Sequence, residues 1–368
     1  MSRVNRLSCL NRVNDVNRVN PNVMTQALDR LLEGELVAFP TETVYGLGAD
    51  ASNPDAIQKI YQAKGRPSDH PVIVHIAEAS AMNDWAVDIP EEAWQLAQAF
   101  WPGPLTLILK RKPGMAESVS GGQETVGLRC PSHPVAQALL RDFAQHRMGQ
   151  AAGIAAPSAN RFGHVSPTRA AHVRDEFAGL VRDGLLILEG GDSEVGIEST
   201  IVDLSRLSPR SLGAQAALLR PGAITAAQIE TVLGHPLTGT STDAPRVSGS
   251  LKAHYAPETR LCLCPQVDLP VAVANWLERH EGRVAVVTQH LDGMPQIDSD
   301  RVVLRQMPLS ATSYAQALYA TLREMDALGV QAMIWSEVPD SASWQGVRDR
   351  LSRAAAAFED NSGSDVKC

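Results

Sequence analysis

Residues 35–50, ELVAFPTETVYGLGAD, constrain this chain more than any other stretch. The apolar run ending at Phe39 predicts a short strand over 35–39, and Pro40 stops it because proline has no N–H to give to a sheet ladder. The residues after Pro40 are too polar for a core. Thr41, Glu42, Thr43 and Tyr45 bring hydroxyls and a carboxylate, while Gly46 and Gly48 let a backbone come close to something else. A small-molecule site at the end of a strand is written this way, and a tight strand-to-helix turn with a capping threonine is the alternative reading of the same residues.

At 368 residues the chain exceeds the usual span of one hydrophobic core, which predicts two domains. Residues 1–23 repeat the triplet RVN, develop no apolar periodicity and read as a disordered leader, with Met24 as an alternative start. From there helices are predicted near 24–33, 53–63, 91–100, 134–144, 168–177 and 225–233. Strands are predicted at 71–76, 104–111, 125–130, 153–156, 185–189, 197–204 and 216–220. Such mixing implies an α/β sheet flanked by helices, spanning 24–234. Residues 235–257, rich in Thr, Ser, Pro and Gly, read as a linker that ends in HYAP. Residues 258–357 alternate again, with strands at 259–263, 283–288, 301–305 and 331–336 and helices at 268–280, 311–328 and 342–357, a smaller βαβ-like domain. The tail 358–368 reads as disordered.

A net charge of −8 argues against nucleic-acid binding through the whole surface, although a local basic cleft is invisible in a sum. The five cysteines are too scattered for a disulfide framework, which points to a reducing cytoplasm. Cys262 and Cys264 alternate with leucines on one face of a strand. They read as buried side chains, since no second Cys or His pair stands nearby to complete a metal site. No apolar stretch approaches the roughly 20 residues of a membrane span.

The candidate chemistry is spread over short segments. AKGRPSDHP places Lys64 and Arg66 in a Gly/Pro turn, where two cations face one anion or form a solvated basic turn. His70 and His75 flank the strand PVIVH, and a lone histidine there is more often structural. TVGLRCP delivers Thr125 and Arg129, and an arginine in a mostly apolar strand needs an anionic partner. AAPSAN ends a strand of small residues on Ser158 and Asn160. HVSPT adds Ser166, GIESTIVDL adds Ser199 and LLRPG ends on Arg220. Together the four cations describe a basic pocket able to hold a triphosphate and a carboxylate. There is no GxxxxGK[ST], no GxGxxG after the first strand, no HExxH and no GxSxG, which lowers the rank of dinucleotide enzymes and nucleophilic hydrolases.

Taken in chain order, PTETVYGLGAD, KGRP, PVIVHI, FWPGPLT, GLRCPSHP, APSAN, VSPT, GIESTIVD and LRPG resemble a YrdC-like domain. With SGSLKAHYAP and a second α/β domain behind it, the chain resembles the longer form of the L-threonylcarbamoyladenylate synthase family over roughly residues 24–350. The linker is one residue shorter than the family form SPGMKYKHYAP and has Gly249 where proline would stand. The resemblance implies a YrdC-like twisted mixed sheet flanked by helices and a smaller, Rossmann-like C-terminal domain.

It also implies a reaction of L-threonine, bicarbonate and ATP that gives L-threonylcarbamoyladenylate and diphosphate, for modification of tRNA beside the anticodon. By that resemblance Lys64, Arg66, Ser158 and Asn160 form the catalytic cradle, with Ser158 also touching threonine. Thr43, His75, Arg129 and Ser199 hold threonine. His70, Thr125, Ser166, Arg220 and Tyr255 complete the nucleotide site, with Lys64, Arg66 and Asn160. Mg²⁺ is expected with ATP, with Glu42 as a candidate neighbour, and the linker carrying Tyr255 as a lid. A tRNA threonylcarbamoyl transferase complex is the implied downstream partner. Two other readings stay open: a carbamoyl-phosphate-using relative, which would want an acylphosphatase segment and zinc-finger cysteines that are missing, and an RNA-binding module with a basic cleft.

Overall fold

The computed structural model describes residues 20–207, 215–239, 243–291 and 300–359, and Cys9, Cys368 and most of the expected leader and tail lie outside them. The chain divides into two compact units. One comprises the residues up to Phe162, Pro167–Glu194 and Glu198–Ser248, and the other Gly163–Ser166, Val195–Ile197 and the chain from Gly249 onward.

The first unit runs α1 (Pro21–Leu32), β1 (Val37–Phe39), β2 (Gly46–Asp50), α2 (Pro54–Lys64), β3 (Val74–His75), α3 (Met82–Trp85), α4 (Glu91–Phe100), β4 (Leu105–Lys110), β5 (Thr125–Arg129), α5 (Pro134–His146), β6 (Ile154–Ala155), α6 (Ala170–Glu176), α7 (Ala178–Arg182), β7 (Leu186–Ile187), β8 (Thr200–Asp203), β9 (Ala217–Arg220) and α8 (Ala226–Leu233). Its strands form one mixed sheet in the order β7-β1-β2-β6-β3-β5-β4-β8-β9. Helix starts obey local chemistry. Asn20, Asn53 and His133 each accept a backbone N–H at an N-cap with proline in the first turn behind it, and Thr225 and Gln228 close a capping box on α8.

Two departures from the sequence reading matter. Helix α1 begins at Pro21, three residues before the expected position, because Asn20 Oδ1 accepts the Asn22 N–H at 3.0 Å. Residues Gly46–Asp50, read as a site loop, are strand β2, antiparallel to β1 with Phe39 opposite Gly46. Their propensity is poor for a strand, but packing overrides it. An added Cβ at Gly48 would lie 2.6 Å from the Phe39 ring and 2.9 Å from Ile154, so only glycine leaves room for those side chains.

The second unit runs β10 (Arg260–Cys264), α9 (Leu269–Arg279), β11 (Val284–Thr288), β12 (Val302–Gln306), α10 (Ala311–Ala327), β13 (Ala332–Ser336) and α11 (Gln345–Ala356). Its sheet is all parallel in the order β10-β13-β11-β12. The middle strands β11 and β13 are buried along their whole length, as the apolar runs VAVVT and AMIWS require of strands covered on both faces. Among the described residues no helix is long and apolar enough to cross a membrane.

Candidate functional site

The loop between β1 and β2 is held by one hydroxyl. Thr41 Oγ1 donates to Val44 O at 2.6 Å, accepts the N–H groups of Thr43 and Val44, and lies 2.9 Å from Thr43 Oγ1. Its capacity is used within the loop, whereas Thr43 Oγ1 makes only the contact with Thr41 among the described residues. Of the two threonines, Thr43 is the one with bonding capacity left.

Between them Glu42 reaches across the sheet to β5. Arg129 Nη2 donates to Glu42 Oε1 at 2.7 Å, the Ser132 N–H donates to Glu42 Oε2 at 3.0 Å, and Arg129 Nε points at Gly103 O at 3.4 Å. Both side chains are about 95 % buried, at 5 % and 4 % exposure. The anion that Arg129 needs is therefore Glu42. Each oxygen of Glu42, the carboxylate expected near Mg²⁺, thus accepts one hydrogen bond. His75 on β3 pairs in register with Arg129. Burial, and then the Arg129 charge, push the His75 imidazole down to about 3, so it is neutral at neutral pH, and its buried Nδ1 has no partner among the described residues.

A second cluster forms where α2 ends. Gly65 takes the left-handed conformation, φ 61°, that closes the helix, and this turn sets Lys64 inward and Arg66 beyond it. Lys64 Nζ donates to Ser158 O at 2.7 Å and to Asn160 O, which fastens the APSAN segment to the helix end. APSAN is tied to β2 as well, by Leu47 N to Pro157 O and Ala159 N to Tyr45 O, both 2.8 Å. Burial, reinforced by Arg66, holds the Lys64 pKa well below the usual lysine value. Ser158 Oγ makes no hydrogen bond among the described residues. Arg66 donates to His70 O at 3.3 Å and Pro71 O at 2.7 Å and lies over the Phe162 ring, which His70 meets edge-on.

The third cluster is built on β4, β8 and β9. Ser199 Oγ is 2.7 Å from Thr106 Oγ1, and Arg220 donates to Ser199 through Nε (3.0 Å, carbonyl) and Nη2 (3.1 Å, hydroxyl). Arg220 Nη1 also donates to Ser248 O at 2.8 Å, and Arg66 Nη2 reaches Ser248 Oγ at 3.4 Å. Two cations from opposite parts of the sequence thus converge on one residue. The middle of the 235–257 segment is stitched down here, with Gln123 exchanging two hydrogen bonds with the Arg246 backbone (2.7 and 3.0 Å) and Arg246 pairing with Asp69. Thr125, half-buried on β5, lines the same narrow cleft as Arg246, Val247 and Ser248.

Ser166 and Tyr255 belong to the other unit, where Gly163 O accepts the Ala256 N–H at 2.8 Å. Tyr255 is buried there with φ 60°, its ring 5.8 Å from Tyr319 and beneath the Arg350 guanidinium. Ser248, Ser132 and Thr106 were not singled out in the sequence. Thr106 alone left a signal, as the one hydroxyl in the apolar run LTLIL. Among the described residues no group of three His, Cys, Asp or Glu is placed to hold a metal, and Cys130, Cys262 and Cys264 are free thiols.

Two family models match the chain, one described as "Telomere recombination" over residues 29–222 and one as "Threonylcarbamoyl-AMP synthase, C-terminal domain" over residues 224–356. The chain is 40 % identical over 352 residues to a threonylcarbamoyl-AMP synthase of Bacillus subtilis, covering 93 % of this chain and 96 % of that one. A Pyrococcus abyssi protein of the same name is 37 % identical, with 88 % and 91 % covered. The crystal structure of P. abyssi Sua5 complexed with L-threonine superposes with a TM-score of 0.77 at 35 % identity, covering 90 % of this chain and 94 % of that one.

Proposed function

We infer the function from membership, for the chain belongs to the threonylcarbamoyl-AMP synthase family in its two-domain form, and its product is L-threonylcarbamoyl-AMP. The observation that carries the reading to this chain's own residues is the presence of two separate arginine centres in the first unit, one holding two guanidinium groups and one in which a guanidinium is paired with a carboxylate. Arg66 and Arg220 converge on Ser248, while Arg129 stands on β5 with Glu42 and His75. A substrate pair consisting of a polyphosphate and an amino-acid carboxylate suits that division.

In the proposed reaction the threonine amine adds to carbon dioxide from bicarbonate, giving a carbamate and releasing a proton. A carbamate oxygen then attacks the α-phosphorus of ATP, the bond from that phosphorus to the bridging oxygen breaks, and diphosphate leaves. No protein nucleophile is required, so positioning and charge stabilisation carry the catalysis. Arg129 clamps the threonine carboxylate, with Thr43 and His75 as its other contacts, and Ser199, held by Thr106 and Arg220, is assigned to threonine from the neighbouring cluster. Ser158 and Asn160 bond the reacting groups, and Lys64 and Arg66 face the phosphates. His70, Thr125 and Arg220 complete the nucleotide site in this unit. Mg²⁺ would enter with ATP and neutralise phosphate charge, and Lys64 and Arg66 would face the same phosphates. We assign the product to a downstream tRNA threonylcarbamoyl transferase complex, with weak RNA binding of the chain itself. The scattered free thiols support a cytoplasmic setting.

Diphosphate release by the purified chain, measured with and without L-threonine and bicarbonate, tests the reading. Release that needs both substrates and is lost in Lys64→Ala is expected. Tight binding of RNA with no binding or turnover of ATP would replace it by the binding-module alternative.

A further inference from the structure

Resting on the assignment of Arg129 to the threonine carboxylate, we propose that Glu42 is the positioning residue that sets the plane of that guanidinium before the amino acid arrives. Arg129 is held at two corners, Nη2 by Glu42 at 2.7 Å and Nε by Gly103 O at 3.4 Å, while Nη1 makes no hydrogen bond among the described residues. Glu42 is fixed in turn by the Ser132 N–H, at the residue before the N-cap of α5, so the pair is anchored to the frame of the sheet and the helix.

An arginine side chain free to sample rotamers would have to be ordered by the ligand, and that ordering costs affinity. Held by Glu42, the fork presents its remaining edge in one orientation. The pair is neutral overall, so a carboxylate is recognised by directed N–H groups rather than by excess charge, which suits a zwitterionic amino acid better than a free inorganic anion. His75, buried and neutral, lies on the neighbouring strand in register with Arg129. A purely structural role explains less, because a buried Arg–Glu pair adds little net stability over apolar side chains of the same volume.

The test is steady-state kinetics of diphosphate release by the full chain, with thermal melting to establish folding. Glu42→Gln, which keeps one acceptor but loses the bond from Ser132, should raise KM for threonine about 10-fold while KM for ATP keeps its value. Glu42→Asp, which keeps the charge but is one methylene short, should shift the threonine KM in the same direction and serves if the glutamine variant does not fold. In an Arg129→Lys background, whose ammonium has no plane to set, Glu42→Gln should add nothing further. A folded Glu42→Gln with the parental threonine KM, an equal rise in both KM values, or an undiminished effect in Arg129→Lys would overturn the proposal. If Arg129→Lys itself leaves the threonine KM unchanged, the clamp assignment fails instead, and the two failures are told apart.

Discussion

His75 shows how a single buried side chain couples the site to pH. Its folded-state value, near 3, lies below the ordinary 6.5, so between these two values the unfolded chain binds a proton that the folded chain refuses. Stability therefore rises with pH through this window and is lost as pH falls from 6.5 toward 3. Between pH 7 and pH 4 the loss attributable to His75 is on the order of 3 kcal/mol. Urea unfolding at the two pH values should show a smaller acid loss for His75→Gln than for the parent, and an identical loss would remove the assignment. The need of Arg129 for an anion was legible from its place in the apolar strand TVGLRCP. That the anion is Glu42 was not, because the two residues are 87 positions apart and only the pairing of strands brings them together. Likewise TET offered two equivalent threonines until the loop's own hydrogen bonds used up Thr41.

At the scale of elements, the helices with caps and the apolar strands were legible to within a few residues, since cap chemistry and hydrophobic period are local properties. Strand β2 was not, because GLGAD owes its conformation to the side chains that pack on it. Gly48→Ala is accordingly expected to destabilise the chain by about 2–3 kcal/mol, the upper part of the overpacking range, because the added methyl meets both Phe39 and Ile154. Gly65→Ala meets no neighbour within 4 Å and should cost only the strain of a left-handed alanine, about 1 kcal/mol. Equal melting shifts for the two variants would contradict this. The segment around Arg246 gives a second contrast. The exposed Arg246–Asp69 pair contributes little, whereas Gln123 holds the Arg246 backbone on both sides. Hydrogen exchange over residues 244–248 should speed up about 10-fold in Gln123→Ala and far less in Arg246→Ala. Parental protection in Gln123→Ala would mean that other contacts hold the segment.

For the whole molecule, the presence of two α/β units was readable from length and pattern. The division itself was not a simple cut. Gly163–Ser166 and Val195–Ile197 lie in the first two hundred residues yet pack with the second unit, where an added Cβ at Gly196 would lie 2.4 Å from Gln316 Cα. Short segments of this kind carry no compositional mark, and only the fold reveals which unit claims them. The residues between and around them include Ser158, Asn160 and Ser199, so the catalytic assignment must be tested on the full chain. The most direct measurement is mass spectrometry of the nucleotide products after incubation with ATP, Mg²⁺, L-threonine and ¹³C-bicarbonate. A threonylcarbamoyl-AMP species that carries one ¹³C and vanishes without threonine is predicted. AMP or ADP as the only nucleotide product, or a product indifferent to threonine, would contradict the account.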